Sequence, residues 1–250
     1  MHNTDRFIEL DAARGIAILM MVVFHIQFDL SFFHILPTTV YKTGFWNYFG
    51  LTTTILFIGI AGVSATISGS RVVTAGGEKG LVWKFFRRGI GLILLGMLIT
   101  VGTYIYLEGS GFVVFGILHL IGTCVILAPF ALRLRYYNAL IGICIILATP
   151  LLAPVSGPFW LIPIGIHPGS FVSVDYEPLI PWSGFFFLGM ALGSFLYPDG
   201  KRRFRTRINS NTLYPVVSSV ACAGRHSLAV YLVHQPVIVG ILMVLDSVFV

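Results

Sequence analysis

Long apolar stretches alternate with short polar segments along the whole chain of 250 residues. Seven stretches hold about 20 mostly uncharged residues each, which is the length that an α-helix needs to cross a bilayer. The pattern predicts an all-α fold, a polytopic transmembrane helix bundle that forms one domain over residues 1–250. The predicted spans are Ala12–Phe33, Phe49–Ser70, Phe85–Leu107, Phe112–Leu132, Tyr137–Val155, Pro181–Tyr197 and Ser227–Val250.

Positive charge alternates from one connecting segment to the next. Basic residues lie before the first span, after the second, between the fourth and fifth, and before the last, whereas the other connections hold only Lys42. Because cytoplasmic loops carry the excess of Lys and Arg, the alternation predicts a cytoplasmic N-terminus and a multi-pass protein of the cell membrane. The basic positions are Arg6, Arg14, Arg71, Lys79, Lys84, Arg87, Arg88, Arg133, Arg135, Lys201, Arg202, Arg203, Arg205, Arg207 and Arg225.

Composition agrees with this architecture, because 56% of the residues are hydrophobic and only 10% are charged. Soluble domains carry about 25% charged residues, so the composition excludes a soluble fold. The net charge of +6 does not indicate a nucleic-acid partner, because the basic residues cluster in short loops suited to an anionic membrane leaflet. The three cysteines show no CxxC spacing, and we expect neither a disulfide framework nor a bound metal.

The first predicted span carries ionisable side chains along its length. Such groups are costly at membrane depth, so they usually face the bundle interior and mark a functional path. Arg14 and His25 lie eleven residues apart, which places them on one helix face with about 16 Å between them. Asp29 follows one turn beyond His25, where a carboxylate can orient an imidazole. We therefore predict a cation, a titratable base and an acid along one face.

Two further histidines fall within predicted spans. His119 lies in the fourth span at a depth that matches His25, so the two imidazoles are expected to line one cavity. A packing role, with His119 bonded to the backbone or to a hydroxyl, remains an open alternative. His234 and Gln235 lie in the last span, and Arg225 precedes this span at its predicted cytoplasmic end.

Six segments spread from the first span to the last carry a family resemblance. Arg14 of the first segment is followed eleven positions later by His25 of the second. The segments are Leu10–Ala17, Phe24–Leu30, Phe57–Gly62, Gly116–Gly122, Asp175–Trp182 and Gly224–Pro236. They resemble the membrane acyltransferase superfamily, and the closer resemblance is to its heparan-α-glucosaminide N-acetyltransferase-like branch in the short bacterial and archaeal form.

This resemblance implies an enzyme that takes an acyl group, usually acetyl, from cytoplasmic acyl-CoA. The acceptor is expected to be a sugar amine or hydroxyl that approaches from the opposite membrane face. The resemblance places Arg14 near the phosphates of coenzyme A and makes His25 the catalytic histidine. The expected partners are acyl-CoA, a glycan or amino sugar, the lipid bilayer and, as an open alternative, a second copy of the chain.

The chemistry of the side chains suggests further roles. His25 can act as a general base or accept the acetyl group covalently, and the sequence leaves both routes open. Asp29 would hold the tautomer of His25, and His119 would donate a hydrogen bond to the thioester oxyanion. The predicted catalytic residues are His25, Asp29 and His119; those for the CoA donor are Arg14, Arg87, Arg88, Arg225 and His234; and those for the acceptor are Asp175, Tyr176 and Trp182.

Three alternatives remain open. His25 and His119 could be axial ligands of a membrane haem, which would make the protein an electron carrier. The polar face of the first span could relay protons in a small proton-coupled transporter. The acceptor segment around Asp175 and Tyr176 could instead be a structured lid or an interfacial belt.

Overall fold

The computed structural model describes residues 6–204 and 213–249, so Arg205 and Arg207 of the predicted basic loops lie outside the described residues. Within the described ranges the regular structure is helical and no strand forms. Three short 3-10 turns cover Leu132–Tyr137, Phe159–Ile164 and Pro198–Gly200. The α-helices are α1 Ile8–Phe32, α2 Thr39–Lys42, α3 Gly44–Thr74, α4 Glu78–Tyr106, α5 Ile117–Ala131, α6 Asn138–Leu147, α7 Thr149–Leu152, α8 Leu179–Leu196, α9 Leu213–Arg225 and α10 Ser227–Phe249.

Six helical runs in the described residues are long and apolar enough to cross a membrane. Many of their large apolar side chains remain outside the protein core; on α4 the exposed fractions are 60% for Leu94, 67% for Leu98 and 72% for Ile105. Such surfaces are stable against lipid, and the predicted multi-pass helix bundle is therefore confirmed. The runs are Ile8–Phe32, Gly44–Thr74, Glu78–Tyr106, Ile117–Leu152, Leu179–Leu196 and Ser227–Leu245.

The run Ile117–Leu152 contains two of the seven predicted spans. Arg135 interrupts it with a non-helical backbone (φ 45°, ψ −111°). Both ends of the run adjoin the same loop, because the backbone of Phe115 pairs with that of Tyr176 and the backbone of Ser156 pairs with that of His167. The rings of His167 and Tyr176 lie 5.8 Å apart in this loop. A straight helix of this length would hold its ends about 54 Å apart. The chain therefore reverses here, which supports seven spans; that count and the cytoplasmic N-terminus stay predictions.

The chain divides into two compact units, and the boundary falls within α3. The first unit comprises Met1–Phe57 and Thr206–Val250, and the second comprises Ile58–Arg205. Each is described by itself below. A single transmembrane domain over residues 1–250 stays a prediction.

In the first unit, α1 and α9 pack backbone against backbone. A Cβ added to Gly15 would collide with the Val220 carbonyl, and one added to Gly224 would collide with the Asp11 carbonyl. Glycine at both crossings allows this approach, as it does between transmembrane helices in general. Because Asp11 meets Gly224 while Gly15 meets Val220, the two helices run antiparallel. The close packing holds the polar start of α1 against the end of α9.

In the second unit, two helix pairs also pack closely through glycines. A Cβ on Gly122 of α5 would lie 2.7 Å from the carbonyl oxygen of Gly89 on α4, and a Cβ on Gly184 of α8 would lie 2.7 Å from that of Gly142 on α6. These reciprocal glycine contacts bring the helix backbones together. The α4–α5 contact positions the start of α5, where His119 lies.

Candidate active site

Two imidazoles meet in the first unit, one from α1 and one from α10. The ring centroids of His25 and His234 lie 4.8 Å apart with an angle of 79° between the planes. Phe24 packs edge-on against His25 at 5.8 Å, and Tyr231 lies 5.7 Å from His234. Each imidazole of the pair therefore has an aromatic neighbour. His234, which was predicted to bind the CoA donor, lies against the predicted catalytic histidine.

The backbone holds both rings in the same tautomer. Nδ1 of His25 lies 2.9 Å from the Met21 carbonyl oxygen, and Nδ1 of His234 lies 2.6 Å from the Tyr231 carbonyl oxygen. Because a carbonyl only accepts, each Nδ1 carries the hydrogen and donates it. The Nε2 atom of each neutral ring then keeps its lone pair. Two basic nitrogens thus lie on adjacent helices, and that of His234 is buried without a hydrogen-bond partner among the described residues.

Asp29 lies one turn beyond His25 on α1 and is only 2% exposed. Its Oδ1 accepts a hydrogen bond of 2.8 Å from Nε2 of Gln235 on α10. The orienting contact with His25 that we predicted for Asp29 is wrong, because the Met21 carbonyl occupies the His25 Nδ1–H instead. The Met21 carbonyl, an acceptor one turn earlier on the same helix, takes this hydrogen, and Asp29 accepts from Gln235 instead. A catalytic role for Asp29 stays a prediction.

The two predicted CoA-binding arginines of this unit lie near the α1–α9 crossing. Arg14 forms a 2.8 Å ion pair with Oδ1 of Asp11, three residues earlier on α1. Arg225 is the last residue of α9 and is exposed. The neighbouring Gly224 packs on the Asp11 carbonyl, so the crossing brings the two ends that carry these arginines together. Their binding to CoA phosphates stays a prediction.

His119 of the second unit occupies the first turn of α5. Its Nδ1 accepts a hydrogen bond of 3.3 Å from the N–H of Gly116, the residue that caps the helix. Because Nδ1 accepts, the hydrogen of the neutral ring must be on Nε2. The ring is 4% exposed, stacks on Phe115 at 5.4 Å, and closes onto Gly96 of α4. Its Nε2–H is a buried donor that finds no acceptor within the described part of the chain.

The acidic segment before α8 folds onto the start of α5. The N–H of Glu177 donates to the Phe115 carbonyl at 2.9 Å, and the Asp175 carboxylate accepts from the N–H of Ile117. Burial raises the pKa of Asp175 to about 6, although the Ile117 hydrogen bond opposes this rise. Burial and the nearby Asp175 raise the pKa of Glu177 well above its ordinary value. Both carboxyl groups therefore favour the protonated form more than exposed acids do.

The remaining predicted residues have simpler surroundings. Tyr176 donates its hydroxyl hydrogen to the Ile162 carbonyl at 2.7 Å, which ties the loop together. Trp182 lies in the first turn of α8 beside Phe185, with ring centroids 5.9 Å apart. Arg87 and Arg88 are exposed on α4. Asp175 and Tyr176 thus lie in one loop. The binding roles of Asp175, Tyr176, Trp182, Arg87 and Arg88 stay predictions.

Two residues outside the predicted site list, Gln235 and Glu177, belong to these clusters, and for Glu177 the sequence suggests sugar binding together with Asp175 and Tyr176. Gln235 contacts Asp29 across 206 positions of the chain. Glu177 lies between two predicted acceptor residues, and its Oε2 is buried without a partner in the described ranges. The only sequence signal for Gln235 was a polar side chain next to His234 in an apolar span. For Glu177 the signal was a second acid two positions after Asp175.

Comparison with known proteins gives one match. A family model described as "Heparan-alpha-glucosaminide N-acetyltransferase, catalytic" matches residues 6–236 of the chain. The match therefore includes residues of both units, among them His25 and His234 of the first and His119 of the second. No curated protein and no solved structure matches the chain.

Proposed function

The chain belongs to the heparan-alpha-glucosaminide N-acetyltransferase catalytic family, and on this premise we propose that it transfers the acetyl group of cytoplasmic acetyl-CoA to a sugar. The acceptor atom is an amine nitrogen or a hydroxyl oxygen that is reached from the opposite membrane face. The meeting of His25 and His234 carries this proposal, because it supplies two unprotonated Nε2 atoms inside an apolar helix bundle.

His25 acts by one of two routes. In direct transfer its Nε2 takes the proton of the acceptor while the acceptor attacks the acetyl carbonyl, and CoA leaves as a thiolate that then takes up that proton. In the covalent route Nε2 attacks the carbonyl itself and CoA leaves as a thiolate. The acceptor then attacks the acetyl carbon, the bond from that carbon to Nε2 breaks, and the proton of the acceptor passes to the thiolate. The Met21 carbonyl stabilises the cationic ring in both routes, since it accepts the Nδ1–H.

The other predicted residues support the same reaction. Arg14 and Arg225 provide positive charge for the CoA phosphates. His119 provides a fixed N–H donor, which is the chemistry that an oxyanion requires. Both the binding of CoA by these arginines and the role of His119 are parts of the proposal. The family match over residues 6–236 argues against a haem carrier and against a transporter. The absence of a bound metal and self-association of the chain stay predictions.

The test uses the full chain, purified in detergent, with acetyl-CoA labelled in the acetyl group. We expect CoA release together with label on the protein or on added glucosamine, and loss of both in His25→Ala. His226→Ala is the matched control, because His226 has the same Nδ1 bond to a helix carbonyl, that of Cys222, but is exposed. Glucose in place of glucosamine separates a hydroxyl acceptor from an amine. Equal activity of His25→Ala and wild type would exclude the proposed role of His25.

A further inference from the structure

Within the part of the chain that the structure describes, no cation forms an ion pair with the Asp29 carboxylate. It is 2% exposed, and one oxygen accepts the amide hydrogen of Gln235. The other oxygen, Oδ2, is buried and has no hydrogen-bond partner among residues 6–204 and 213–249. Burying an ion without full pairing costs free energy. A charge held in this way points to a use beyond stability.

Gln235 and Asp29 form a layer directly beside the two histidines. Gln235 follows His234 in the chain, and Asp29 lies one helical turn beyond His25, at the spacing where side chains on one face meet. The bond between Asp29 and Gln235 therefore links α1 to α10 next to the point where the imidazoles approach to 4.8 Å. A loss of this bond would loosen both the carboxylate and the histidine pair.

The side chain that donates to Asp29 is a neutral amide, not a cation. An arginine or lysine at this position would cancel the charge of Asp29, whereas an amide orients the carboxylate and leaves the charge in place. His25 becomes a cation whenever its Nε2 takes a proton or an acetyl group, and it returns to neutral when that group leaves. A retained negative charge one turn away stabilises this cation.

We propose that Gln235 is a positioning residue of the acetyl-transfer reaction: it fixes the Asp29 carboxylate beside His25 without neutralising it. This inference rests on the proposed function. Gln235 acts through Asp29 and contacts neither the donor nor the acceptor. Its side-chain oxygen Oε1, which is also buried and unpartnered within the described residues, is the consequence of turning the amide hydrogens toward Asp29.

Few ionisable groups of the described residues lie near this layer, so its response to pH can be assigned. The titratable side chains described there are His25 and Asp29 on α1 and Tyr231 and His234 on α10. The part of α3 in this unit has no charged residue, and α9 carries only Arg225, exposed at its end. Lys42 on α2 is likewise exposed. A carboxyl introduced at position 235 would therefore titrate mainly against Asp29.

The test compares Gln235→Met with Gln235→Glu in the labelled acetyl-CoA assay. Gln235→Met keeps the volume but removes the donor, and we expect kcat to fall about tenfold to a hundredfold at every pH, with KM for acetyl-CoA unchanged. Gln235→Glu keeps the bond to Asp29 only while the two carboxyl groups share a proton. Its activity relative to wild type should therefore fall about tenfold between roughly pH 5.5 and 8.5.

Gln27→Met is the matched control, because Gln27 is a 7% exposed glutamine on α1 whose amide faces Ser31 rather than the histidines. It should retain wild-type kcat and pH dependence. Unchanged kcat in Gln235→Met, or a pH profile of Gln235→Glu parallel to wild type, would overturn the positioning role while acetyl transfer stands. An inactive wild type would reject the proposed function and this inference with it. If Gln235→Met fails to fold, the pH profile of Gln235→Glu still tests whether Gln235 positions Asp29.

Discussion

Three histidines of the helices, His25 and His234 in the first unit and His119 in the second, bond to the backbone in opposite ways. His25 and His234 donate from Nδ1 to carbonyls of their own helices. His119 accepts at Nδ1 from the N–H of Gly116. The first two rings therefore present a lone pair at Nε2, and the third presents a hydrogen. The same residue type therefore supplies two bases, at His25 and His234, and one donor, at His119.

The position of each histidine along its helix explains this difference. A histidine in the middle of a helix meets the carbonyls of the preceding turn, as His25 meets Met21, four residues earlier. A histidine in the first turn meets N–H groups that have no partner inside the helix, as His119 meets Gly116. The helix register thus selects the tautomer, and the tautomer decides whether the ring can act as a base or as a donor.

Glutamine substitutions at His25 and His119 give the largest contrast. A glutamine amide can place an N–H near the position of a histidine Nε2 but cannot take up a proton at neutral pH. We expect His25→Gln to lower acetyl transfer by about 10²- to 10⁴-fold, the contribution of a positioned base. His119→Gln should lose about tenfold or less, whereas His119→Leu should lose about 10²-fold or more, as for a lost oxyanion donor. Initial rates with labelled acetyl-CoA measure all three.

Imidazole nitrogen NMR supplies the control for this prediction. Protein labelled with ¹⁵N-histidine should show protonated Nδ1 for His25 and His234 and protonated Nε2 for His119. Single His→Gln variants assign the signals. Equal losses in His119→Gln and His119→Leu, or the same tautomer at all three sites, would remove the distinction between base and donor.

Hydropathy predicted the helices well and their ends less well. The predicted first span, Ala12–Phe33, matches α1 at Ile8–Phe32. The predicted span Phe85–Leu107 corresponds to α4, which begins earlier at Glu78. Residues 78–84 include the charged Glu78, Lys79 and Lys84 but remain helical. Hydropathy measures the part of a helix that suits lipid rather than the whole helix. The apolar pattern therefore defines spans more reliably than helix boundaries.

The site was predictable where its residues lie on one helix. The register of α1 places His25 and Asp29 one turn apart, and both belong to the observed cluster. The partners of these residues were not predictable, because the Met21 carbonyl is a backbone group and Gln235 reaches Asp29 across 206 positions. His234 was recognised as a polar residue in an apolar span, but its contact with His25 depends on how α1 and α10 pack.

A smaller effect should follow from crowding the donor histidine. In Gly96→Ala the new Cβ would lie 2.8–3.0 Å from ring atoms of His119, which is held on its other side by Phe115. The ring must shift and weaken its bond to Gly116, so we expect about a tenfold loss of acetyl transfer and a destabilisation of about 1–3 kcal/mol. Gly91→Ala on the same helix is the control, because no atom lies within 4 Å of its added Cβ. Equal behaviour of the two variants would show that the ring's position is unimportant.

The smallest effect concerns the acids, which also differ between the units: Asp29 has an amide partner, whereas Glu177 lies near Asp175. Because the pKa of Glu177 is raised in the folded protein, the folded state holds a proton that the unfolded state releases. The contribution of Glu177 to the free energy of unfolding is therefore fully present below about pH 4 and is lost as pH rises through the raised pKa. Glu177→Gln removes this pH-dependent loss of stability, so we expect its Tm at neutral pH to exceed that of wild type by a few degrees, with a flatter dependence on pH.

Tryptophan fluorescence during heating measures the Tm and its dependence on pH. Glu108→Gln, a substitution at an exposed site, should change neither of these quantities. A Tm for Glu177→Gln at or below wild type at neutral pH would show that Glu177 is stabilised as a carboxylate, as Asp29 is by Gln235.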